Sequence, residues 1–127
     1  MFHLHGKLKY FLYPAAVDMR KSLYTLSGIV TSLMKREVQS GEVFIFVNKR
    51  LTTMKILDLE HGGLVIYHKK LDSGVFKLPR IDESVSSVAV DWQDLMMIVK
   101  NVQPIKRRLK PRQKEALFHN NLAVKIG

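Results

Sequence analysis

The stretch VDMRKSLYTLSGIVTSL, residues 17–33, decides how the chain folds. Its apolar positions Met19, Leu23, Leu26, Val30 and Leu33 advance by four, three, four and three. That spacing lays one stripe along a helix of about five turns. Asp18 stands where an N-cap belongs, and the other face carries Lys21, Ser22, Thr25, Gly28, Ser32 and Lys35. Ser40 and Gly41 supply the stop. Arg20 and Lys21 then fall in the first turn, where the helix dipole disfavours cations. Two explanations stand at this level. Either an external anion such as a phosphate occupies the site, or Asp18 neutralises the turn while Arg20 pairs with a carboxylate elsewhere and Lys21 points to water.

Before this helix, KLKYFLY, residues 7–13, alternates Lys7, Lys9 and Phe11 against Leu8, Tyr10 and Leu12 and then meets Pro14. It predicts a first strand with one wetter face. After the helix, VFIFV at 43–47 is apolar on both faces and suits a central strand. MKILDL at 54–59 and LVIYHK at 64–69 flank EHGG, a hairpin signal, so a meander is expected. GVFKLP at 74–79 predicts an edge strand ending at the proline. Asp91 and Asp94 open an apolar run through Val102 that predicts a second, shorter helix. Its stripe of Trp92, Leu95, Met96, Val99 and Val102 is either core or a face offered to another protein.

The expected architecture is a single α+β domain over residues 1–103. A long N-terminal helix packs on a mostly antiparallel β-sheet of about four or five strands, with a short second helix. A basic C-terminal arm over residues 104–127 follows. The 127 residues, 46% of them hydrophobic, fit one domain with a modest core. No run approaches the roughly 18 apolar residues of a membrane span, and no signal-peptide core opens the chain, so a cytoplasmic protein is expected. The absence of Cys excludes disulfides, thiolate metal sites and a Cys nucleophile.

Charge gives the first functional hint. Lys and Arg total 21 against 11 acidic residues, a formal net charge of +10, which favours a polyanionic partner. Eight of the cations and one acid lie in residues 100–127. Lys106, Arg107, Arg108, Lys110 and Arg112 can neutralise several phosphates, or solubilise the chain, or dock on an acidic protein surface. If the hairpin closes at residues 61–63, Lys55 comes opposite His68, Lys69 and Lys70, with Lys49 and Arg50 in the preceding loop. These five cations form either a phosphate-tracking patch, with Tyr67 and His68 beside it, or a solvated strand face. Register decides, because a slip of one residue turns Lys55 to the other face.

Catalysis finds little footing in the sequence. There is no Gly-rich phosphate loop, no Gly-x-Ser-x-Gly elbow and no motif around Asp18, Asp58 or Asp91. His3 and His5 lack a third ligand, so neither a metal nor another cofactor is expected.

The order of features resembles a known family. VDMRKS opening the helix, then SGEVFIFVNKR, KIL, GGLVIYHKKL and GVFKLP, is similar to the TnpB, or Orf-two-like, accessory protein of bacterial insertion sequences of the sixty-six type. The likeness spans residues 7–102. Ser22 replaces the family's usual Gly, and Lys70 replaces an Arg, keeping the charge without the planar fork. The resemblance implies a non-catalytic role in transposition beside a separate transposase and other element-encoded proteins. Together with the charge it gives the expectation of a DNA-binding, nucleoid-associated factor that contacts element ends through Arg20, Lys21, Lys49, Arg50, Lys55, Lys69, Lys70 and the arm, with Asp18 as cap. The alternatives are an adaptor that binds the transposase without touching DNA, or a metal-dependent nuclease-like enzyme.

Overall fold

The computed structural model describes residues 4–79 and 82–100. The elements run β1 (Lys9–Leu12), α1 (Leu23–Ser32), β2 (Glu42–Val47), β3 (Thr53–Glu60), β4 (Gly63–Lys70), β5 (Val88–Val90) and α2 (Trp92–Lys100). The five strands form one sheet in the order β4-β3-β2-β1-β5. β2 is central and buried along its whole length. Its alternation sends Val43, Ile45 and Val47 to one core and Phe44 and Phe46 to the other. A doubly apolar strand therefore creates three layers. On one face Leu26, Val30 and Met34 join Phe11, Phe44, Phe46 and Leu57. On the other, Leu95, Ile98 and Val99 of α2 join Tyr10, Leu12, Ile45, Met54 and Ile56. Each large side chain so enclosed contributes about 1.5–3 kcal/mol relative to an exposed one.

The expectation of a long N-terminal helix is overturned. α1 has 10 residues, about three turns, and follows β1. Asp18 does not cap it, because its carboxylate accepts from the Arg20 backbone amide at 2.9 Å and is claimed by the Arg20 side chain. Ser22 takes the cap instead, in extended backbone (φ −80°, ψ 171°), accepting from the Thr25 amide. Met19 does pack with the α1-side core, but from a turn ahead of the helix. At the other end the Leu33 and Met34 amides both donate to the Ile29 carbonyl, and Arg36 donates to that of Val30 at 3.0 Å. Lys35 between them has φ 58°, so the helix closes here. Ser40 and Gly41 (φ 92°) form the turn into β2.

The sheet is also mixed: β2, β3 and β4 form the expected antiparallel meander, but β1 joins it in parallel. α1 carries the chain back across the sheet, so β1 and β2 pair in parallel, Lys9 beside Glu42 through Leu12 beside Ile45. The hairpin of β3 and β4 closes as its sequence signals, on His61 (φ 49°) and Gly62 (φ 79°), with Glu60 opposite Gly63. Residues 74–79 form no strand. The Phe76 amide donates to the Leu51 carbonyl at 2.7 Å, and Phe76 and Leu78 are buried in the α2-side core. The fifth strand is β5, antiparallel to β1 at the other edge. β1 has no wetter face beyond Lys9, because Phe11 lies under α1. The Trp92 and Met96 side chains pack against the core. Val102 and the basic segment 104–127 lie outside the described residues.

Candidate nucleic-acid interface

The parallel strands β1 and β2 both finish at the same end of the sheet, and the loops that follow them build the site. After β1 the chain stays beside β2, the Tyr13 and Val17 amides donating to the Ile45 and Val47 carbonyls at 2.9 Å each. Val17 is buried, which anchors the segment. Asp18 then shapes a turn: its carboxylate accepts Arg20 Nε at 3.1 Å and Nη2 at 2.7 Å in a planar fork. The Arg20 hydrogen bonds hold the Asp18 carboxyl well below the usual carboxylate range, and the same fork raises Arg20. The Arg20 side chain remains 91% exposed.

The loop after β2 is rigid for a local reason. Asn48 Oδ1 accepts from the Thr52 and Thr53 amides at 2.9 and 3.0 Å, and Asn48 Nδ2 donates to the Thr52 hydroxyl at 2.9 Å. Leu51 adopts φ 58° to complete the turn. Lys49 and Arg50 are exposed at its tip. Between the two loops lies a cleft of about 400 Å³. Ala16, Val17, Asp18 and Met19 form one wall, and Asn48, Lys49, Arg50 and Thr53 the other.

The hairpin register places the sheet lysines. Lys55 pairs with His68, and Thr53 with Lys70, so Lys55 and Lys70 share the α1 face. Lys55 Nζ donates to the Lys21 carbonyl at 3.2 Å. The sheet and the segment before α1 thus meet. Lys69 points to the other face, where its ammonium donates to the Val99 carbonyl in the last turn of α2. The structure therefore brings Arg20, Lys21, Lys49, Arg50, Lys55 and Lys70 to one end and separates Lys69 from them. Tyr67 is half-buried against the α2-side core and donates its hydroxyl to Glu60, so it is tied down, while His68 is exposed.

Sequence reasoning missed Ala16, Met19, Asn48 and Thr53 as parts of the site. Asn48 had a local signal, an Asn at a strand end followed by Lys-Arg, but the opposite wall required the parallel pairing. Among the described residues no group of three or more His, Asp or Glu side chains is arranged to hold a metal ion. Among them, too, no helix is long and apolar enough to cross a membrane.

The family described as IS66 Orf2 like protein matches residues 8–108. This chain belongs to that family. Its role is that of an accessory protein associated with transposition of an insertion element. The match includes Lys106, Arg107 and Arg108, so it reaches into the basic segment. The IS66 Orf2-like chain is also similar to the uncharacterized protein y4jC of Sinorhizobium fredii, 23% identical over 92 residues, which covers 72% of this chain and 79% of that one. No solved structure matches it.

Proposed function

We propose that this accessory protein binds DNA through phosphate contacts from Arg20, Lys21, Lys49, Arg50, Lys55 and Lys70, and so helps to hold element ends for the transposase. The observation that carries the reading is the Lys55–Lys21 contact, which joins the sheet cations to those ahead of α1. Lys49, Arg50 and Lys70 form no salt bridge among the described residues, and Lys21 forms none either, although its charge lies near enough to act on Asp18. Arg20 adds a guanidinium whose outer edge is open to solvent. Such contacts position a duplex and do not read its sequence. Lys106, Arg107, Arg108, Lys110 and Arg112, in the basic segment 104–127, add phosphate contacts and keep the protein on the nucleoid. Fluorescence anisotropy with labelled element-end DNA tests the reading. With six or more phosphate contacts, affinity falls roughly a thousandfold between about 50 and 200 mM salt. A flat salt dependence rejects it.

A second reading, an adaptor for the transposase, is favoured by a different surface. α1 contains no charged residue, and Tyr24 on it is 85% exposed, with Leu33 at its end 51% exposed. Here the discriminating pair is Arg20→Glu with Lys21→Glu. Transposase that co-purifies with this double variant after nuclease treatment, although DNA binding is gone, favours the adaptor.

A further inference from the structure

We infer that the cleft between residues 16–19 and 48–53 receives one unpaired nucleotide, so that the surface prefers single-stranded DNA to duplex. This rests on the reading that this end of the sheet contacts DNA. The two walls differ in chemistry. Ala16, Val17 and Met19 give an apolar surface, and Met19 in particular offers a polarizable thioether suited to the flat face of a base. Lys49 and Arg50 stand opposite, on a loop whose backbone Asn48 has already fixed, so only their side chains remain to be ordered when they meet a phosphate. Asp18 also lines the cleft, but its carboxylate is occupied by the Arg20 fork, which leaves the cationic wall as the one that takes the phosphate.

The space of about 400 Å³ is an open groove, so a ligand seated in it keeps one side in solvent. A free phosphate has no use for an apolar wall. A duplex presents phosphates but keeps its bases stacked inside, and entering the cleft would require a base to be flipped out. An unpaired nucleotide satisfies both walls together. Charge alone predicts the reverse order, because the duplex carries the denser row of phosphates.

The test compares a labelled thymidylate strand of about 15 nucleotides with a hairpin duplex, both titrated with the full chain. Ala16→Leu narrows the cleft at an exposed position with an aliphatic side chain that offers a base no ring to stack on, and Ala16→Ser leaves it open; thermal melting verifies that both fold. The wild type and Ala16→Ser are expected to bind the single strand about fivefold more tightly, the size of one thioether–ring contact. Ala16→Leu is expected to lose that preference while keeping its duplex affinity. Equal binding of the two DNAs by the wild type, or a folded Ala16→Leu that keeps the preference, overturns the inference alone. Binding of neither DNA overturns the DNA reading and the inference with it.

Discussion

Lys55 Nζ donates to the carbonyl oxygen of Lys21 across 3.2 Å, joining two basic segments that stand 34 residues apart in the chain. The half-buried Lys55 stem runs along the sheet and its head closes on the backbone that leads into α1. This contact ties the loop at residues 18–22 to the sheet, beside the anchor that the Val17 amide makes on the Val47 carbonyl. It follows from the register, since Lys55 opposite His68 is what turns its side chain to the α1 face.

The helix start gives the first prediction. Ser22→Ala removes the side chain that accepts from the Thr25 amide and should cost about 1 kcal/mol, read by urea denaturation. Asp18→Ala should cost less, since it loses an exposed pair with Arg20 and no cap. The reverse order would restore Asp18 as the cap.

The segment at 74–79 gives the second. Phe76 is fully buried although its backbone joins no strand, so Phe76→Ala should destabilise the fold by about 3–5 kcal/mol. A loss under about 1 kcal/mol in the denaturation midpoint analysis would mean that this segment does not cover the core.

Glu42 sets the acid response. Burial raises its pKa, but hydrogen bonds from Arg36 at 2.7 Å and from Gln39, with the charges of Arg36 and Lys9, outweigh burial and leave it lowered. A depressed folded pKa contributes stability above the unfolded value and loses it as pH falls through the folded one. Stability of the wild type should therefore drop as pH falls below the ordinary glutamate range, and Glu42→Gln should flatten that limb while lowering stability at neutral pH. Parallel acid limbs for the two proteins, measured by urea midpoints against pH, would contradict this. Arg36 also lies 3.7 Å from the centre of the Phe11 ring, so the same guanidinium closes the α1-side core.

Much of the sheet was legible in residue pattern. The doubly apolar 43–47 run is the central strand, EHGG is the hairpin, and Lys55 does stand opposite His68. What the pattern hid had two physical causes. One is competition at short range: Asp18 has the chemistry of a cap, but Arg20 captured it, and Met19 fits the helical spacing while packing from a turn. The other is pairing at long range, since neither the parallel contact of β1 with β2 nor a strand as short as Val88–Val90 leaves a local mark. Lys69 and Lys70 show the limit of grouping by charge. Consecutive strand residues face opposite ways, so only Lys70 joins Lys55, and the candidate site took shape once the pleat was applied.

The most direct test of the shared phosphate-binding end is the salt slope of DNA affinity in single variants. Lys55→Gln and Lys70→Gln, on the α1 face, should each reduce the slope by about one. Lys69→Gln, whose ammonium serves the end of α2, should leave it unchanged. Equal reductions from Lys69 and Lys55, or none from any of the three, would contradict a single binding surface at this end of the sheet.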